Sequence, residues 1–150
     1  MRLSDFLDPT AVSLALQGET KDAIRDELVG LLRLDERSIG TLTRLIRRRE
    51  ALGSTGVGRG IAIPHCRSLA VTRLRLAFGL HIRGVDYDAI DGRPVHVFFL
   101  IVAPPVEVAN QYLQVLGRIA QFAQQPNVAE RLRTLTSADQ LFTLLDEKGA

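Results

Sequence analysis

Apolar positions recur along the chain with two spacings, and the change from one to the other divides it into helices and strands. Ile24, Leu28, Leu31 and Leu32 fall at i, i+4, i+7 and i+8, one face of a helix from Lys21 to about Arg33 with Thr20 as its cap. Lys21, Asp22, Arg25, Asp26 and Glu27 make its wet face. A second helix, opening at Asp35 or Ser38 and closing at Leu52, turns Ile39, Leu42, Leu45, Ile46 and Leu52 inward, with Gly53 as a left-handed stop. A period of two takes over at Ala11–Leu16, where Val12, Leu14 and Leu16 alternate with Ala11, Ser13 and Ala15. It returns at Leu74–Ile82, where Leu74, Leu76, Phe78, Leu80 and Ile82 alternate with Arg75, Ala77, Gly79 and His81. Val95–Val102 is almost continuously apolar, as in a central strand covered on both faces, and Pro104-Pro105 stops it.

The remaining segments fit the same scheme. Leu3–Leu7 predicts a short helical turn capped by Ser4, and Val85–Pro94 a loop with an Asp91-Gly92 turn. Glu107–Gln124 predicts a long helix burying either Tyr112, Leu116, Ile119 and Ala123 or Leu113, Leu116 and Ala120. Asn127-x-x-Glu130 and Ser137-x-x-Gln140 match capping boxes for a short helix to about Leu132 and a last one to Asp146. Strands interleaved with helices predict an α/β fold: one domain over residues 1–150, with a central mixed β-sheet sandwiched between helices.

Composition narrows the function classes. A chain of 150 residues fits a single core and should bury roughly 70% of the surface its unfolded form exposes. The net charge of +2 is too small to point to nucleic acid, although Arg44, Arg47, Arg48 and Arg49 cluster; a solvated helix face accounts for most of that cluster. The longest apolar run, Val95–Ala103, includes His96 and falls far short of the ~20 residues of a membrane helix. The amino terminus lacks the apolar stretch of an export signal and Cys66 is the one cysteine, so the expected location is the cytoplasm, with no internal disulfide.

The densest candidate chemistry lies in Gly53–Arg67, read GSTGVGRGIAIPHCR. Gly53, Gly56, Gly58 and Gly60 suit a loop whose main-chain N–H groups approach an anion. The apolar Ile61-Ala62-Ile63 that follows leads to Pro64, which fixes φ before the single imidazole of His65. A neutral imidazole nitrogen is nucleophilic near pH 7 and can receive a phosphoryl group. Arg49, in the last turn of the helix before this loop, can form bidentate bonds to such a group or simply complement the helix dipole.

The run from Arg48 to Arg67, with Arg49-Glu50, Ser54-Thr55-Gly56 and Ala62-Ile63-Pro64-His65 at characteristic spacing, resembles the enzyme IIA domain of the phosphoenolpyruvate-dependent sugar phosphotransferase system, in its fructose/mannitol/nitrogen-regulatory class. The resemblance extends as a pattern over nearly the whole chain. It implies a phosphotransferase component, not an autonomous enzyme. His65 accepts the phosphoryl group from a histidine phosphocarrier protein, and Arg49, the Thr55 hydroxyl and the amides around Gly56, Gly58 and Arg59 hold its oxygens. It further implies a nitrogen or metabolic regulator acting on a protein partner, without cofactor, metal, membrane or nucleic acid. An alternative within the same resemblance is a regulatory binding module that no longer accepts phosphate. Three positions depart from the family pattern. Tyr112 stands where a second histidine is usual and is the second-site candidate, Arg59 replaces a frequent asparagine, and Cys66 replaces a common glycine.

Rival chemistries fit less well. Gly53–Gly60 lacks the Lys-Ser/Thr pair of a P-loop and follows a helix, not a strand. Cys66 and His65 are neighbours on an extended backbone, whose side chains point to opposite sides, so they make a poor nucleophile and base. His81 and His96 read as structural, and no pair of potential ligands shows the i, i+3 or i, i+4 spacing of a metal site.

Overall fold

The computed structural model describes residues 1–150, apart from the side chain of Val108. Its elements run β1 (Leu7–Ser13), α1 (Lys21–Gly30), α2 (Glu36–Ala51), β2 (Gly56–Gly58), β3 (Ile61–Ala62), β4 (His65–Arg67), β5 (Arg75–Val85), β6 (Val95–Ala103), α3 (Gln111–Gln124), α4 (Val128–Arg133) and α5 (Ala138–Glu147). The strands form one mixed sheet ordered β1-β5-β6-β3-β2, and β4 pairs with β6 beyond the end of β3. β6 lies inside the sheet, and all its residues but His96 are buried.

The pleat of β5 and β6 assigns the helices to two layers. Phe78 and Phe99, directly opposite one another, meet edge to face at 5.1 Å, and Phe99 reaches Phe122 of α3 at 6.3 Å. Phe98 points the other way, to Tyr87 at 5.3 Å. On that second face Gly79 permits a close approach: a β-carbon there would lie 2.5 Å from Leu16 Cδ1 and 2.9 Å from Leu28 Cδ2 of α1. Thus α1, with α2 packed on it, covers one face, and α3 with α4 the other, which is the expected helix-sheet-helix sandwich.

Several expected details differ. The first strand occupies Leu7–Ser13, not Ala11–Leu16. A register shift between Leu7 and Val12 leaves Ala11, not Val12, inside, while Leu16 stays buried beyond the strand and donates its N–H to Leu80. β5 also shifts register between Leu80 and Val85, which turns His81 inward and leaves Ile82 75% exposed. Leu52, expected inward, is 85% exposed because α2 ends at Ala51. α1 ends at Gly30, with Arg33 at φ +56°, and α3 begins at Gln111 because Ala109 and Asn110 adopt left-handed conformations. α3 buries Val115, Ile119, Phe122 and Ala123, and Leu113 is exposed. Thr20 and Ser137 cap as expected, and of the alternatives Asp35, not Ser38, caps α2. Asn127 makes no side-chain cap, and Gln140 returns to the N–H of Thr136, not to that of Ser137. At the amino terminus a 3-10 turn at Leu3–Asp5 is closed by Asp5 accepting from the Arg2 N–H, not by Ser4.

Candidate functional site

His65 stands where the strand beside β6 is broken and resumed. β3 and β4 both pair with β6, and Ile63-Pro64 separates them. Pro64 has no N–H to give; its carbonyl accepts from Ile101 at 3.0 Å, and the Ile63 N–H reaches back to Thr55 at 2.9 Å. The Ile63 carbonyl meets the His65 ring, with Nδ1 2.6 Å from its oxygen. A carbonyl only accepts, so Nδ1 bears the proton and Nε2 the lone pair. Burial, the largest cause, holds the His65 pKa below the ordinary imidazole value, and the positive charge of Arg49 adds to that effect. The Ile63 bond and the negative charge of Glu50 oppose it. The imidazole is therefore neutral at pH 7, with a defined nucleophilic nitrogen.

The end of α2 supplies the charged groups. Helix α2 packs against β4, which carries His65; Arg49, in the last turn of α2, donates through Nη1 to the Gly53 carbonyl at 3.0 Å, and its positive charge is among the causes that lower the His65 pKa. Glu50 is buried and accepts from the Thr55 N–H and the Thr55 hydroxyl, each at 2.8 Å. Lys21 approaches the same carboxylate at 3.7 Å and lies 4.9 Å over the ring of the fully buried Tyr87, whose hydroxyl is 3.5 Å from Glu50. Helix α1, the end of α2 and the β5–β6 loop are thereby tied to the start of the glycine segment.

Opposite these, Tyr112 sets its ring 5.9 Å from that of His65. Burial pushes its phenol up to about 12, so it is neutral. Arg67, two residues beyond His65 and on the same face of β4, lies 4.4 Å over the Tyr112 ring. Its Nη1 donates to the Pro104 carbonyl and to Glu107, both at 3.2 Å. The same Glu107 oxygen accepts the Tyr112 N–H at 2.9 Å and so caps the first turn of α3.

The His65 and Tyr112 rings are thus brought together, Arg49 sits at the end of the helix packed against β4, and the Thr55 hydroxyl gives its proton to Glu50. The amide cradle expected around Gly56, Gly58 and Arg59 is largely spent inside the fold. The Gly56 N–H goes to the Ser54 hydroxyl at 3.0 Å and the Arg59 N–H to Asp91 at 3.1 Å, while Gly58, at φ +91°, packs near Asp91. Arg59 is not carried to His65: its Nη1 donates to the Gln124 carbonyl at 2.8 Å, at the end of α3 roughly 18 Å along the helix from Tyr112. Cys66 faces away from His65, and burial pushes its thiol up to about 12. His81 accepts the Gly84 N–H, and His96 donates from Nδ1 to the His81 and Ile82 carbonyls. No group of three or more metal-ligating side chains suited to a metal ion occurs among the described residues, and no helix among them is long and apolar enough to cross a membrane.

Sequence reasoning missed the structural roles of Glu50, Tyr87, Arg67 and Glu107. Arg67 was accessible from the period of two on an extended strand after His65, whereas the burial of Tyr87 within an acidic loop leaves no local signal.

Comparisons with known proteins show the family and the fold. The family model "Phosphoenolpyruvate-dependent sugar phosphotransferase system, EIIA 2" matches residues 5–148. A nitrogen regulatory protein of Pseudomonas aeruginosa is 33% identical over 148 residues, covering 97% of this chain and 95% of that protein. The fructose-specific EIIABC component of Bacillus subtilis is 31% identical over 152 residues that cover 98% of this chain, which spans only 23% of that longer protein. Among solved structures, the nitrogen regulatory protein IIA-Ntr from Neisseria meningitidis matches with a TM-score of 0.86 at 30% identity, over 95% of this chain and 98% of that one.

Proposed function

The chain belongs to the EIIA 2 family of the phosphoenolpyruvate-dependent sugar phosphotransferase system, and on that premise we propose that it is a phosphocarrier that accepts a phosphoryl group on Nε2 of His65. The donor is the phosphohistidine of a small carrier protein. The Nε2 lone pair attacks phosphorus as the donor's P–N bond breaks, and the donor imidazole leaves with that electron pair. The new Nε2–P bond draws charge from the ring, and the Ile63 carbonyl facing Nδ1–H stabilises the positive charge that develops there. The transition state is loose, with charge on three oxygens, so positioning and nearby cations dominate catalysis, and Arg49 at the end of α2 is the cation assigned to that task in this reading.

The 2.6 Å bond from Nδ1 to the Ile63 carbonyl supports this reading best, because it leaves Nε2 as the nucleophile. The family's nitrogen regulatory proteins, one matched along 95% of its length, motivate the further proposal that phosphorylation controls a protein partner in nitrogen or metabolic regulation. The neutral phenol of Tyr112 beside His65 favours a second reading, a regulatory binding module that no longer accepts phosphate. Intact-mass measurement separates the two. Wild type incubated with phosphoenolpyruvate, the first enzyme of the relay and its histidine carrier should gain one acid-labile phosphoryl group, and His65→Ala should gain none. No gain by folded wild type with an active relay selects the binding module.

A further inference from the structure

Arg59, which the fold carries away from His65, helps line a cavity of about 450 Å³ beyond the far end of α3. Three separate segments each bring a guanidinium to it: Arg59 from the turn between β2 and β3, Arg93 from the turn entering β6, and Arg133 from the last turn of α4. Arg59 uses one N–H on the Gln124 carbonyl and is held at φ +57°, a conformation non-glycine residues seldom adopt. Arg93 and Arg133 make no ion pair among the described residues, although both are exposed and free to choose one. Asp91 stands at the edge of the cavity, where its two oxygens accept the backbone N–H groups of Arg59 and Arg93 at 3.1 and 3.0 Å and its negative charge offsets part of that of Arg93. Glu130 is the one acidic side chain on the lining.

We propose that this cavity binds a compact polyanion, bearing phosphoryl or carboxylate groups, at a site separate from His65. Guanidinium forks present paired N–H donors that match the spacing of oxygens on either group, and three of them against Glu130 on the lining and Asp91 at its edge leave a net positive site. The volume suits a small metabolite and is too small for a polymer. Gly60, at φ +75°, and the His96 ring next to it also line the cavity.

Calorimetric titration with inorganic pyrophosphate, and separately with citrate, at low ionic strength tests the proposal. The expected result is saturable binding of at least one probe, weakened about tenfold or more in Arg93→Gln/Arg133→Gln and unchanged in His65→Ala. Pyrophosphate alone identifies a phosphoryl ligand, citrate alone a carboxylate, and both together a site that selects by charge; each supports the proposal. Because Arg93 and Arg133 are exposed and unpaired, the double variant should melt like wild type, and Arg93→Gln alone gives a smaller, independent loss. Binding of neither probe overturns the proposal, as does binding that survives the double variant or disappears with His65→Ala.

Discussion

The segment Gly53–Gly60 is tied down at both ends by a carboxylate accepting a backbone N–H, and the two ends differ in what surrounds that carboxylate. At the His65 end, Glu50 is 6% exposed and takes both the N–H and the hydroxyl of Thr55, with Lys21 alongside. At the other end, Asp91 is exposed and takes the N–H groups of Arg59 and Arg93 from a turn already in water. A buried carboxylate that loses its partners cannot turn to solvent, and donors that lose a buried carboxylate are left unsatisfied; at the exposed end water replaces either. The same local pattern therefore makes a rigid support beneath the imidazole and a replaceable tie at the cavity.

The largest expected effect follows from that contrast. Glu50→Ala strands the buried Thr55 N–H and hydroxyl, while Lys21 keeps Asp88 at 3.2 Å, and should lower stability by about 3 kcal/mol in urea unfolding. Asp91→Ala, measured in parallel, should leave the unfolding midpoint nearly unchanged. Equal losses at the two ends would break the comparison.

Arg49→Gln sharpens it on the side of chemistry. Removing the cation in the last turn of α2 should slow phosphoryl transfer about 100-fold, read from initial rates of labelling, with little loss of stability. The pH profile has a defined sign. Burial, foremost, keeps the His65 pKa below the ordinary value of about 6.5, so the lone pair persists at a pH where a free imidazole is already protonated. As pH falls below that ordinary value the unfolded chain takes up the proton first, so the stability contribution of His65 declines in that window and levels off below the folded pKa. Arg49 is among the causes that lower it, so Arg49→Gln should move the ring titration, followed by NMR, towards higher pH.

A smaller effect is expected at Tyr112. Tyr112→His places an ionisable ring 5.9 Å from His65 and should raise the transfer rate about tenfold at a pH where it is charged. An unchanged rate would mean that the cations already present suffice.

These contrasts also mark what the sequence could and could not reveal. The apolar run of β6, the caps Thr20 and Asp35 and the imidazole placed after Pro64 are governed by near neighbours, and each is legible as a local pattern. The pairing of Glu50 with Thr55 spans five residues and is within reach of local reasoning, but nothing local shows that Tyr87 would be buried over the same carboxylate. The outward turn of Ile82 follows from a register shift set by β6, not by the alternation of β5 itself. Arg59 is the clearest case. Its place in the glycine segment points to the phosphoryl site, whereas its side chain is captured by a carbonyl 65 residues away.

That capture yields the smallest expected effect and the sharpest test of separateness. Arg59→Ala removes a bond to Gln124 that water can replace and deletes a charge roughly 18 Å from Tyr112 along α3. At physiological ionic strength the screening length is about 8 Å, so the field of Arg59 at His65 is largely lost. Phosphoryl transfer by Arg59→Ala should therefore match wild type in rate and extent, while polyanion binding at the cavity weakens. The backbone tie from the Arg59 N–H to Asp91 needs no side chain and remains, so the turn keeps its shape. A marked drop in transfer would mean that the guanidinium leaves Gln124 when a phosphoryl donor docks, making the two ends of the segment a single site.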